Sequence, residues 1–271
     1  MSSRTTLGVT MPNDDVLSRL KQLGFRLPPE GLRDFLERAG RERLSPVAMA
    51  EKLVELERRE REARNLAART RLAMLGKFQT LERFDWNHPR KIDRALYERL
   101  YGTLEFVERA ENVLLRGPSG VGKTTLAQNL GLSALTHGYS VRFCTLTAML
   151  ADLLRRDSLP AFERRLRRYV RPRLLVLDEI GYLPCDNRSA DLLYNIVSRR
   201  HEARSIVITT NLPFRQWGTV FPGAACVAAL VDRFVQHCHV IDIEAESYRQ
   251  RTAMQQPQGR SPDAQDRIQS S

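Results

Sequence analysis

From Val113 onward, short apolar runs alternate with stretches whose apolar residues recur every three or four positions. The runs are Val113–Leu115, Val141–Cys144, Leu174–Leu177, Ile206–Thr209 and Val240–Ile243, several of them partly β-branched. Strands separated by helical segments predict a parallel sheet covered by helices on both faces. The chain before this region reads differently. Residues 14–75 contain no strand-like alternation, and Leu32, Phe35, Leu36 and Ala39 recur at i, i+3, i+4 and i+7, the stripe of an amphipathic helix. Pro28-Pro29 separates that helix from the one before it. Ser45-Pro46 supplies an N-cap and a first-turn proline for a long helix expected to run to about Leu75. Its middle, Glu55 to Arg64, is almost wholly charged, with Glu55–Arg59, Glu57–Arg61 and Glu60–Arg64 spaced i, i+4 in the favourable order. This stretch reads as a solvated helical spacer, with a DNA-contacting surface as the competing reading. Composition changes near residue 80 and again near residue 255. The expected organisation is a small all-α domain (1–80), an α/β domain (81–254) and a polar tail from Gln255 that lacks periodicity and is expected to be disordered.

Composition adds a compartment and a class of partner. The chain has 271 residues, 42% hydrophobic and 28% charged, which describes a soluble globular protein. The longest apolar stretch, Ala224 to Val231, is eight residues, far short of the ~20 that span a bilayer. The first fifteen residues contain no apolar core of a signal peptide, so no secretion or membrane insertion is expected. Four scattered cysteines, Cys144, Cys185, Cys226 and Cys238, suit a reducing, cytoplasmic location. Net charge is +11, and only five of the 43 basic residues are lysines. An arginine surplus of this kind points to a phosphate-bearing polymer more than to small acidic molecules.

Gly117-Pro118-Ser119-Gly120-Val121-Gly122-Lys123-Thr124 fits G-x-x-x-x-G-K-[ST], with Thr125 continuing into a helix that carries Leu126, Leu130 and Leu132. Glycines let the backbone turn its N–H groups around phosphates, and the following helix offers its N-terminus to negative charge. Lys123 is expected to reach the β- and γ-phosphates, and the Thr124 hydroxyl to hold Mg²⁺. Fifty-five residues after Lys123, an apolar strand ends in Asp178-Glu179. Asp178 is expected to support Mg²⁺ and Glu179 to accept a proton from the attacking water. A third strand ends at Asn211, which is expected to orient that water; the alternative is a cap on the turn before Pro213. Arg233 and Arg249 complete the candidates as side chains able to neutralise phosphoryl charge, although Arg233 can equally be a surface arginine of its helix.

Together, GPSGVGKTTLA, LLVLDEIGYLP, TTNLPFRQWGTVF and VDRFVQHCHVIDIEAESYR resemble the IstB-like ATPases, helper proteins of bacterial insertion-sequence transposition. These are similar to the DnaC-type helicase loaders and belong to the AAA+ superfamily. The resemblance runs from about Leu81 (LERFDW) to Arg249 and more loosely through the N-terminal helices. It implies an AAA+ P-loop ATPase domain over 81–254, with Gly117–Thr124 as Walker A, Asp178 and Glu179 as Walker B, and Asn211 as sensor 1. It also implies that Arg233 is an arginine finger reaching the neighbouring subunit's nucleotide, and that Arg249 is sensor 2, contacting the γ-phosphate within its own subunit. The implied activity is Mg²⁺-dependent ATP hydrolysis by a homo-oligomer on double-stranded target DNA, with a transposase as partner. A helicase loader gripping single-stranded DNA is the alternative, and a nucleotide-locked scaffold with negligible turnover a further one.

Eight arginines fall within residues 155–173 against Asp157 and Glu163, a net +6 of the total +11. On a helical wheel Phe162, Leu166, Tyr169 and Val170 share one face, and Arg164, Arg165, Arg167, Arg168 and Arg171 the other. With Arg155 and Arg156 they are expected to meet DNA phosphates without reading sequence; an ordinary solvated face is the alternative. His237-Cys238-His239 lacks metal-ligand spacing, and Trp86 and Trp217 are expected to be packing residues.

Overall fold

The computed structural model describes residues 12–155, 158–181, 186–223 and 225–245. It divides into two compact units between Arg71 and Leu72. The first contains α1 (Pro12–Gln22), α2 (Pro29–Arg41) and most of α3 (Pro46–Ala73). The Leu32, Phe35 and Ala39 stripe of α2 packs with Leu17 of α1, and Leu53 and Leu56 of α3 lie against that cluster. The Ser45 hydroxyl accepts the Ala48 N–H at 3.2 Å and so caps α3, as its sequence predicts.

The three i, i+4 pairs of α3 form: Glu55–Arg59 at 2.8 Å, Glu57–Arg61 at 2.6 Å and Glu60–Arg64 at 2.5 Å. One of them departs from a solvated spacer. Glu57 is buried, and its carboxylate accepts the backbone N–H groups of Arg26 (2.8 Å) and Leu27 (3.0 Å). Burial works to raise the Glu57 pKa. The bonds from Arg61, Arg26 and Leu27 outweigh it and hold the carboxyl below its ordinary value. Glu57 therefore ties the α1–α2 connection to α3, a task the charge pattern alone does not reveal.

The second unit runs α4 (Arg94–Thr103), α5 (Glu105–Glu108), β1 (Asn112–Arg116), α6 (Lys123–Thr136), β2 (Val141–Thr145), α7 (Leu146–Leu153), α8 (Leu159–Val170), β3 (Leu174–Ile180), α9 (Asn187–Arg200), β4 (Ser205–Thr210), α10 (Trp217–Val220), α11 (Val227–Val235) and β5 (Cys238–Asp242). All strand pairs are parallel, in the order β2-β3-β4-β1-β5. β1 and β4 are buried almost throughout because both faces are covered, which is why their sequences read as unbroken apolar runs. Leu114, Leu175, Leu177, Ile206 and Ile208 join the core formed with α7, α8, α9 and α11. The alternating residues Val113, Leu115, Val176 and Val207 face the other way, where α6 packs. α4 backs α6, and the Tyr97 hydroxyl donates to the Leu126 carbonyl at 3.0 Å.

Arg200, the last residue of α9, is fully buried and has no carboxylate partner among the described residues. Its guanidinium donates to five carbonyls, those of Tyr169, Val170, Pro172, Arg173 and Ser205, at 2.6–3.2 Å. It thereby closes the C-terminal end of α8 and joins it to the starts of β3 and β4. Burial, with Arg204 and Arg173 nearby, pushes its pKa down to about 9. Replacement by Met strands those carbonyls in the core. The expected cost is about 3 kcal/mol of unfolding free energy, read as a lower midpoint in urea with an unchanged slope. A midpoint within experimental scatter of the parent would show that water satisfies the carbonyls instead.

Candidate functional site

β1 ends at Arg116, and the loop 117–122 carries the chain from the carboxyl edge of the sheet into α6, the position at which open α/β folds bind ligands. Gly122 has φ +92°, a left-handed conformation that other residues adopt at a cost, and a Cβ there would collide with the Phe84 ring. The Lys123 ammonium lies along the loop, donating to the carbonyls of Gly117 (2.8 Å) and Pro118 (2.6 Å). Backbone N–H groups at the start of α6 and this ammonium give the loop its positive character.

Under the loop sits Asp178, 3% exposed at the end of β3. The Thr124 hydroxyl is 3.0 Å from both its carboxylate oxygens, and the Thr209 hydroxyl donates to it from β4. The same Thr209 oxygen accepts the Glu179 N–H at 3.0 Å. Glu179 has φ +64°, in the left-handed region that costs a non-glycine residue of order 1–3 kcal/mol. It stands at a register shift: Leu177 pairs with Ile208 and Ile180 with Thr210, so two residues of β3 face one of β4. Its exposed side chain lines a cavity of about 190 Å³ with Thr209, the loop from Ser119 to Gly122, Lys123, Thr124 and Thr125.

Gln79, Arg83, Phe84, Asp85 and His88, from the segment preceding α4, line that cavity too. The sequence pattern assigns them no role; Arg83, Phe84 and Asp85 fall in LERFDW, where the family resemblance begins, while Gln79 and His88 lie outside it. Trp86 packs between Phe84 (4.9 Å) and Tyr97 (5.6 Å), with the Arg94 guanidinium over its ring. Trp217 is fully buried. The oxygen donors of Thr124 and Asp178 suit a hard cation such as Mg²⁺, which keeps several waters and asks few ligands of the protein.

The remaining candidates are more dispersed. Asn211 is exposed and lines a second cavity with Gly117, Pro118 and Ser119, rather than the one that holds Glu179. Arg116 and Asp242 form a bidentate pair at 2.6 Å in its wall. Arg233 lines neither cavity: its guanidinium donates to Ser198 of α9 and lies 5.0 Å from the centre of the Tyr194 ring. Arg249 and Arg156 lie outside the described residues, as does the tail from Gln255. His239 pairs with Glu111 at 2.7 Å, and burial pushes the Cys238 thiol up to about 12.

The arginines on and beside α8 do not all face solvent. Arg164, Arg167, Arg168 and Arg171 are exposed, as the wheel predicts, and so is Arg155 ahead of the helix. Arg165 is not part of that row: it is 9% exposed, lies 3.9 Å from Asp152 of α7 and donates to the Arg155 carbonyl. Its long stem lets it snorkel along the buried face toward an acid that the local sequence does not display. Arg168 also approaches Asp152, at 3.7 Å, but remains open to solvent. No helix among the described residues is long and apolar enough to cross a membrane.

Residues 18–256 match the family described as IstB-like ATP binding protein. The Pseudomonas aeruginosa protein named "Insertion sequence IS21 putative ATP-binding protein" is 38% identical over 234 residues, covering 86% of this chain and 87% of that one. Its Geobacillus stearothermophilus counterpart, named for insertion sequence IS5376, is 35% identical over 200 residues, 74% and 79% of the two chains. Among solved structures, AMPPCP-bound DnaA from Aquifex aeolicus superposes with a TM-score of 0.53 at 23% identity, over 65% of this chain and 53% of that one. The chain belongs to the IstB-like ATP-binding protein family, and its α/β unit has the AAA+ fold.

Proposed function

Given that membership, we propose that the chain is an ATP-hydrolysing assembly factor of DNA transposition. It binds Mg-ATP, oligomerises on duplex target DNA, and recruits and stimulates the transposase of its insertion sequence. The observation that carries this reading is the constellation beneath the glycine loop, where Thr124, Thr209 and the bulged Glu179 gather at the buried Asp178. A carboxylate kept in a costly backbone conformation beside a phosphate loop suits turnover better than a static nucleotide lock.

Each residue then has a task. The N–H groups of Gly117–Gly122 and the start of α6 face the phosphates, and Lys123 turns from the loop carbonyls to the β- and γ-oxygens. Thr124 and Asp178 hold Mg²⁺, which when bound neutralises charge on the phosphate oxygens. Glu179 takes the proton of the attacking water, Asn211 orients that water, and Arg249 senses the γ-phosphate within the same subunit. Arg233 serves the next protomer's nucleotide, so nucleotide state becomes assembly state. The helical unit ahead of Leu72 contacts DNA and partner, the unit from Leu72 onward is the ATPase, and the whole operates in the cytoplasm. An assembled row of protomers aligns the outward arginines of α8, whose weak phosphate contacts then add through multivalency.

Light scattering of the full chain on a duplex with Mg-ATP or Mg-ADP tests this reading. Larger particles with ATP support it. Nucleotide-independent particles, or single-stranded DNA that outcompetes duplex, would replace it with a static scaffold or a loader. Replacing Arg164, Arg167, Arg168 and Arg171 by Gln is expected to weaken duplex binding on every sequence alike. The slope of log K against log salt should flatten by about 0.9 for each phosphate contact removed. An unchanged slope in a fluorescence-anisotropy titration would move the DNA surface elsewhere.

A further inference from the structure

We propose that Thr209 is a positioning residue for hydrolysis, its hydroxyl holding the bulge that turns the Glu179 carboxyl toward the phosphate loop. This rests on the hydrolytic reading above. The physical problem it solves is one of parity. In a regular strand, adjacent side chains point to opposite faces, so Asp178 and Glu179 could not both serve one cavity. The extra residue in β3 breaks that alternation: Asp178 stays buried, bonded to Thr124 of the cavity wall, while Glu179 enters the cavity itself from a left-handed backbone. A bulge leaves its extra residue without a ladder partner, and such a conformation persists only where its surroundings over-determine it.

Thr209 supplies that determination with one atom. Its oxygen accepts the Glu179 N–H at 3.0 Å, and its proton goes to the Asp178 carboxylate. Its 1% exposure keeps water from replacing either bond. The hydroxyl thus locks the relative placement of the two carboxylates. The next residue offers an internal contrast. The Thr210 hydroxyl donates to the Ile180 carbonyl at 2.7 Å and accepts the Leu212 N–H at 3.0 Å, closing the far side of the same bulge without touching either acid. Thr209 therefore serves the reaction, and Thr210 the strand.

The experiment measures ATP turnover, ATP affinity and melting for the full chain with duplex DNA present. Thr209→Val keeps the β-branched shape and removes the hydroxyl. Its kcat is expected to fall at least tenfold while ATP affinity stays within about twofold, and Thr209→Ser to restore kcat to within about threefold. Thr210→Val is expected to melt earlier and keep its kcat. If Thr209 acts through Glu179, the double variant Thr209→Val, Glu179→Gln is no slower than Glu179→Gln alone. Turnover by Thr209→Val within twofold of the parent overturns the proposal, as does a Ser variant as slow as the Val variant, or a double variant slowed by the full product of both losses. Should the Val variant not fold, Thr209→Ala takes its place: the same loss of kcat is expected, and parental turnover by the Ala variant overturns the proposal equally. A parent chain that binds ATP and releases no phosphate removes the hydrolytic reading itself, and this inference with it. An active parent beside an equally active Val variant removes only the inference.

Discussion

Glu179→Gln is expected to bind ATP as well as the parent chain and to release phosphate about 10²–10⁴ times more slowly, the range for losing a positioned proton acceptor. The amide keeps the size and reach of the side chain, so the bulge, the Thr209 bond to its N–H and the Asp178 contacts remain. The variant lacks the proton affinity that makes water a nucleophile. With hydrolysis blocked, the assembly on duplex DNA should outlive that of the parent, seen as slower dissociation after dilution into ADP. Phosphate release at the parental rate, or dissociation unchanged by the substitution, would separate Glu179 from turnover and turnover from disassembly.

Arg233→Ala should lose about 10³-fold in turnover, at the lower end of the effect of an arginine finger, together with the ATP-dependent increase in particle size. Its bond to Ser198 and its position over Tyr194 provide a rival account, in which Arg233 stitches α11 to α9 and the variant fails by loosening that packing. Mixing decides between them. Glu179→Gln protomers carry an intact Arg233, and Arg233→Ala protomers carry an intact nucleotide site. If the guanidinium acts between subunits, the mixture hydrolyses ATP faster than either variant alone. A mixture no better than the average of its components assigns Arg233 to its own chain.

The elements and the centre of the site were legible in sequence because both depend on local order. Fully covered parallel strands must be apolar at nearly every position, as the runs within β1 and β4 are; the other three runs also fall on strands, the last overlapping the partly exposed edge strand β5. The glycine loop and Asp178-Glu179 announce themselves through neighbours in the chain. What stayed hidden depends on which element lies beside which. Thr209 meets Asp178 only because β4 is adjacent to β3, an order that no strand's composition specifies. Phe84 and His88 reach the cavity by a return of the chain from about forty residues away, and a helical wheel for α8 cannot include Asp152 of α7. Glu57 satisfied an i, i+4 rule so well that its second task, at Arg26 and Leu27, left no trace in the pattern.

The segment after β5 sets a limit on how the chain can be shortened. Ile243 donates its N–H to the Arg116 carbonyl, and Glu244 exchanges backbone bonds with Arg90 and Lys91. A Cβ on Gly117 would strike the Ile243 carbonyl, so the glycine loop and this stretch are fitted face to face. A trimmed version intended for crystals or for fusion to a reporter must therefore keep everything through Glu244. Cutting before Cys238 would strip a neighbour from β1 and leave the first glycine of the phosphate loop without the surface that shapes it.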